Sequence, residues 1–342
     1  MRDRQLDIYR ALLMMYIPCV VHTAYWLADG REPLLSVILV EMPLVFFIAG
    51  ASLSVSRSHR SLLPTIIGRF KRVVIPYYVY ACVLLVVGFA ASWIMTLTGH
   101  AATADLFHYG WNDIAAIVLA RDIPHMPYIW HLWFIPCYLI LSCTFPLQVK
   151  LMSRSNRWAY LAGCLTLFLM AQALTGSSLL RQGLAYNIFM VAGYLLYRKV
   201  KVGTIALTGA VSLAAVLVYV FVLGGNFCPM QARKFPPDWL FVVYNLFVLC
   251  LLSLIFSHIS MKDNGIFRLW SQRGYNIYLY QSVVFAAVYF LRQHVTLHGS
   301  WLSIRPLLDA IIVLVLSTGL SLVTYPIERF VIHIFDSSKK EI

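Results

Sequence analysis

Long apolar runs dominate the chain, and short polar segments interrupt them at near-regular intervals. Ten runs read as helices that cross a bilayer: residues 6–27, 36–55, 73–97, 129–149, 158–174, 184–197, 203–223, 239–259, 275–291 and 307–331. A span needs about 20 apolar residues to match the hydrocarbon layer. The fifth and sixth runs are the shortest. The longest interruption, residues 98–128, holds an apolar stretch at 111–119 that is too short to cross. A re-entrant or surface-lying helix is expected there, in a loop suited to serve as a lid or substrate wall. No internal repeat and no low-complexity segment interrupts the pattern.

Composition agrees. Of 342 residues, 61% are hydrophobic and 12% charged, against about 25% charged in a soluble domain. Mean hydropathy is +0.76. The expectation is an all-α integral membrane protein, one domain over residues 1–342 with about ten spans and no soluble domain. The net charge of +13 would point to nucleic acid in a soluble chain. Here its distribution explains it better. With the N-terminus in the cytoplasm, 19 of the 27 Lys and Arg residues fall in cytoplasmic segments and seven outside, with Arg10 inside the first run. That asymmetry is the positive-inside bias, so both termini are expected in the cytoplasm and no nucleic-acid partner is expected. The start, MRDRQLDIYR, leads into a full span without a small-residue cleavage site, so no cleavable signal is expected. Six of the seven cysteines lie in the runs and no CxxC pair occurs, which implies neither a metal site nor a disulfide framework.

Ionisable groups in hydrocarbon are costly, so each one needs a reason. Asp7 and Arg10 are three apart and can pair on one helix face. They form either an interfacial salt bridge or a cation held for a ligand entering from the cytoplasm. His22 lies roughly 18 Å deeper along the same helix. Alone it reads as a satisfied structural residue. With Arg10 it suits a long extended substrate such as phosphopantetheine, with phosphates near the basic side chains and a thioester at the imidazole. A neutral imidazole is a natural general base for a hydroxyl. Arg69, Lys71 and Arg72 precede the third run, either as a headgroup anchor or as a clamp for nucleotide phosphates. His131 and Trp133, in HLWF at the outer start of the fourth run, are belt residues or part of an acceptor site at the depth of His22. Glu41, in the second run, orients His22, binds a sugar hydroxyl or partners another polar side chain. Glu328 is expected to be structural, paired with Arg329 or a neighbouring basic loop.

The ordered set LDIYRALLMMYIPCVVH, PLVFFIAGASL, GRFKRVVIPYY, HLWF, GYNIYLYQ and YPIER resembles the acyltransferase-3 family of bacterial inner-membrane proteins over the whole chain. The resemblance implies a multi-pass protein of the bacterial cytoplasmic membrane. It implies an acyl-CoA donor on the cytoplasmic side, usually acetyl-CoA, and a cell-surface glycan or lipid-linked sugar as acceptor outside; no metal-ligand spacing is visible in the sequence, so no metal is expected. The family's span-one Arg and His fall on Arg10 and His22, and its basic pair on Arg69 and Arg72. Two features depart from the family. Eleven residues separate Arg10 from His22 where ten are usual. A spacing of eleven positions leaves two side chains about 20° apart, but twelve leaves them about 120° apart. Pro18, between them, cannot donate to Met14, so a one-residue bulge near Pro18 is expected to restore the phase. In the ninth run, Gly274 and Gln281 stand where the family has Ser and His. The soluble esterase-like domain of some members is not expected here, so the acyl group passes directly to the acceptor or through a separate partner.

The implied reaction has His22 as general base, with a covalent acyl-His22 intermediate as the rarer variant. Arg10, Arg69, Lys71 and Arg72 hold the donor; Glu41, His131 and Trp133 face the acceptor. The rival reading is a transporter or exporter of a glycan or small molecule, since buried charges also mark transport pathways.

Overall fold

The computed structural model describes residues 3–28, 30–55, 62–99, 109–121, 131–154, 156–173, 178–257, 259, 264–294 and 301–337. Their regular structure is helical, apart from one isolated bridge between Lys234 and Pro237. In chain order the helices are α1 Arg4–Tyr16, α2 Thr23–Trp26, α3 Leu34–Val37, α4 Glu41–Val55, α5 Leu62–Leu97, α6 Trp111–Val118, α7 Phe134–Met152 and α8 Arg157–Gln172. Then follow α9 Ser178–Leu196, α10 Val202–Leu217, α11 Met230–Lys234, α12 Trp239–Ser257, α13 Gly265–His294, α14 Trp301–Val323 and α15 Tyr325–Ser337. Among the described residues six helical segments are long and apolar enough to cross a membrane: Leu34–Val55, Leu62–Leu97, Phe134–Met152, Val202–Val222, Trp239–Phe256 and Ile304–Phe335. The protein is therefore all-α and multi-pass. Helices also occupy the other four expected runs, as α1 with its extension to Trp26, α8, α9 and α13.

By contacts the chain divides into two compact units, one formed by Met1–Leu62 with Thr144–Ser271, the other by Leu63–Cys143 with Gln272–Ile342.

In the first unit α9 is the buried centre. It crosses α4 so closely that a Cβ on Gly50 would strike the Met190 carbonyl, and one on Gly193 the Phe47 carbonyl. Small residues let helix backbones approach where lipid offers no hydrophobic drive to associate. Phe46 stacks on Tyr186 at 4.9 Å beside this crossing. A polar chain ties the neighbours on: Tyr160 donates to Gln148 (3.1 Å), Gln148 to Asn187 (2.9 Å), and Asn187 to the Cys164 sulfur (3.7 Å). Such bonds are worth about 0.6–2 kcal/mol each in a bilayer. α10 lies at the rim, with Leu207 and Val211 exposed, as lipid-facing side chains are.

In the second unit α5 is the axis. Its helix begins at Leu62, so the basic cluster expected in a loop sits on its first turns. The expected short helix in the long loop is present as α6, packed along α5. Tyr109 donates to the Leu84 carbonyl at 3.3 Å and lies against Gly88, while Tyr77 donates to the Ile117 carbonyl. From Gly88 to Tyr77 is a descent of roughly 16 Å along α5. The segment thus runs beside α5, with Ile117 buried and Trp111, Val118 and Leu119 exposed. Most of the expected lid, 100–108 and 122–130, lies outside the described residues, as does the start of the fourth run.

Two expectations need correction. The fourth run's helix begins at Phe134, which leaves His131 and Trp133 in a turn before it. The tenth run does not continue to 331: the helix ends at Val323, breaks at Thr324, and a separate amphipathic helix follows.

Candidate functional site

The first unit holds Arg10, His22 and Glu41. α1 is capped by Asp3, whose side chain accepts from the Leu6 N–H at 3.2 Å. Arg10 projects from its middle. The guanidinium donates to Asp7 at 2.8 Å, Ser52 at 2.7 Å and Ser271 at 3.2 Å, and Ser271 in turn donates to Asp7 at 3.1 Å. The expected Asp7–Arg10 pair is present, and two serines hold the cation in place. Sequence reasoning missed both. A polar residue inside an apolar run, as Ser52 is, was the available signal.

Beyond Tyr16 the helix widens into a π turn over Ile17–His22. The Thr23 N–H reaches the Pro18 carbonyl, five residues back, and its hydroxyl bonds the same oxygen at 2.8 Å. Pro18 has no N–H to give Met14, so the α-ladder breaks where the extra residue must be absorbed. The turn lies where a bulge near Pro18 was expected. His22 ends the turn and is buried, with 5% of its surface exposed.

Glu41 opens α4, 1% exposed, and pairs with Lys234. Its Oε2 is buried without a hydrogen-bond partner. Of the three roles open to Glu41, partnership with another polar side chain is the one its geometry displays. Lys234 appeared to be an ordinary outer-loop charge. It is 5% exposed, on the short helix α11, whose Met230 N–H donates to the Ser36 hydroxyl at 2.8 Å. No local pattern in the sequence distinguishes it.

The second unit holds Arg69, Lys71, Arg72, His131 and Trp133. Arg69 is half-buried, its Nε enclosed without a hydrogen-bond partner. Arg72, one turn on, is exposed. Neither forms an ion pair among the described residues. Pro76 leaves the Arg72 carbonyl without its helical donor. Lys71 donates to the Phe335 carbonyl at 3.4 Å.

His131 is fully buried. Its ring stands edge-on to Tyr80 (6.0 Å) and near Tyr278 (5.3 Å), whose hydroxyl donates to the His131 carbonyl at 3.1 Å. Trp133 packs edge-on to Phe134. Glu328 is held by Arg273 (2.8 and 3.1 Å) and Asn276, not by Arg329, which lies over the Tyr325 ring. Gln281, at the position of the family's His, is fully buried. Among the described residues no cluster of three or more His, Cys, Asp or Glu is placed to hold a metal ion.

The sequence model of the acyltransferase-3 family, described as an acyltransferase domain, matches residues 3–326. The match spans both units, and the chain belongs to that family. Neither the curated proteins nor the solved structures give a significant match.

Proposed function

We propose that the protein transfers an acyl group, acetyl in the usual case, from cytoplasmic acyl-CoA to a hydroxyl of a cell-surface glycan or lipid-linked sugar on the outer side of the bacterial inner membrane. In this reading ten helices span the bilayer and both termini are cytoplasmic. Arg69, Lys71 and Arg72 receive the donor's phosphates; two arginines one helical turn apart, without an ion pair among the described residues, suit bidentate phosphate contacts. Arg10 steadies the diphosphate or pantetheine arm. The His22 imidazole takes the proton of the acceptor hydroxyl as its oxygen attacks the thioester carbonyl. The C–S bond breaks, and the departing thiolate takes the proton back from the imidazolium. Glu41, His131 and Trp133 line the acceptor side, with the free Oε2 of Glu41 able to accept a sugar hydroxyl.

The observation that carries this reading is the π turn over Ile17–His22. It takes up one residue between a cation fixed by Asp7 and Ser52 and a buried imidazole. Energy spent on a non-α turn at one site is characteristic of functional positions.

The test is reconstitution in vesicles with acetyl-CoA and extracted glycan. Free CoA should appear with an acyl mass on the glycan, and His22→Ala should lower both by at least about 100-fold. Glycan movement without any acyl donor, unaffected by His22→Ala, would establish a transporter instead.

A further inference from the structure

Three tyrosine hydroxyls converge on one short stretch of the first unit. α3 ends at Val37, and the last carbonyls of a helix have no partner within it. Tyr16 donates to the Ile38 carbonyl at 2.5 Å, Tyr25 to that of Leu35 at 3.1 Å and Tyr244 to that of Val37 at 2.6 Å. The stretch belongs to the span-length segment Leu34–Val55, and a carbonyl within a bilayer must find its donor in the protein. That need covers all three tyrosines equally, but their origins differ. Tyr244 comes from α12, whereas Tyr16 ends α1 and Tyr25 lies in α2, on either side of the π turn that ends on His22.

That bracketing has a geometrical consequence. On a continuous α-helix nine positions would set Tyr16 and Tyr25 about 180° apart, on opposite faces. With one residue taken up by the turn they stand about 80° apart. Both hydroxyls then reach carbonyls only three residues apart, as they do here. The stretch they hold runs on through the buried Leu39 and Val40 into Glu41. A second set of ties comes from α11, where the Met230 N–H donates to the Ser36 hydroxyl and Lys234 pairs with Glu41. Oε2 of Glu41 stays buried without a hydrogen-bond partner.

We propose that Tyr16 and Tyr25 are positioning residues for acyl transfer. They fix the chain leading into Glu41 to the two helical segments that flank the π turn, so that a hydroxyl bound at Oε2 is held in register with the His22 imidazole. Tyrosine-to-phenylalanine changes remove these tethers and keep the rings. The proposal rests on the acyl-transfer reading, in which Glu41 faces the acceptor and His22 takes its proton.

The test compares Tyr16→Phe, Tyr25→Phe, the two together, and Tyr244→Phe in the full chain, reconstituted in vesicles with acetyl-CoA and extracted glycan. Initial rates are measured against each substrate and normalised to folded protein, and melting temperatures are read in detergent. The double variant should lose about 100-fold in kcat/KM for the glycan, and each single variant about tenfold, as misplacement of a reacting group by about 1 Å does. The KM for acetyl-CoA should stay within about twofold, since the donor's contacts are untouched. Tyr244→Phe removes the same kind of bond from the same stretch. It should lower the melting temperature as much as either single variant, yet leave kcat/KM for the glycan within about threefold. Equal losses in all three single variants would reduce the tyrosines to carbonyl partners and overturn the proposal. Wild-type activity with an unchanged double variant would overturn the proposal alone, whereas absence of CoA release by the wild-type protein would overturn the acyl-transfer reading and the proposal together.

Discussion

Inserting one alanine between Cys19 and Val20 puts the proposed role of the π turn to a direct test. The turn already absorbs one residue, so a second one must extend the α-helical path. Everything beyond it then rotates by about 100° and advances 1.5 Å relative to Arg10. An imidazole about 6 Å from the helix axis moves by about 9 Å. Misplacing a reacting group by about 1 Å already costs on the order of 100-fold, so no acyl transfer should be measurable. The converse change is more discriminating. Deleting Cys19 together with Pro18→Ala removes the extra residue and the reason for the bulge. Eleven α-helical steps then separate the cation from the imidazole, returning them to about 20° of each other, and transfer should survive to within about tenfold. The assay is the acyl mass on surface glycans from cells whose only copy is the variant, normalised to folded protein in the membrane. An insertion variant that still acylates, or a deletion variant that folds yet is inactive, would refute the reasoning.

Three other outcomes follow from the geometry. Lys234→Met leaves the buried Glu41 carboxylate without its counter-ion and should cost about 3–5 kcal/mol, read as a lowered melting temperature in detergent; Lys234→Met with Glu41→Gln should recover most of it. Gly193→Ala forces a methyl group onto the Phe47 carbonyl and should separate α4 from α9, destabilising by about 1–3 kcal/mol or more, whereas Gly203→Ala, with open space around it, should not. Arg69→Gln with Arg72→Gln should raise the KM for acyl-CoA by at least about 100-fold, at about 1.5–3 kcal/mol for each charge-assisted bond lost, and leave the acceptor KM unchanged.

Much of the candidate site was legible because it is local. Asp7 and Arg10 are three apart on one helix, so their pairing needs no knowledge of the rest of the chain. The bulge was legible for the same reason: a spacing of twelve and a proline in the interval conflict with a continuous α-helix, and the conflict has few solutions. The partners were not. Ser52 and Ser271 lie 42 and 261 residues from Arg10, and Lys234 lies 193 residues from Glu41. Nothing in the immediate sequence of Lys234 separates it from a solvated loop charge. The burial of His131 was not legible either, because the rings that enclose it, Tyr80 and Tyr278, lie 51 and 147 positions away.

Hydropathy and local spacing alone determined that this chain is helical and embedded in a membrane, with a cation and an imidazole twelve positions apart on its first span. The reason is that the bilayer forces every backbone bond to close within its own helix, so each span carries its signature in a contiguous stretch. Only the tertiary structure decided which polar groups meet: the serines that fix Arg10, the lysine that neutralises Glu41, the aromatic rings around His131 and the break after α14. Those depend on how closely particular helices approach, as at Gly50 and Gly193, and a backbone crossing between residues more than a hundred positions apart leaves no periodic trace in the chain.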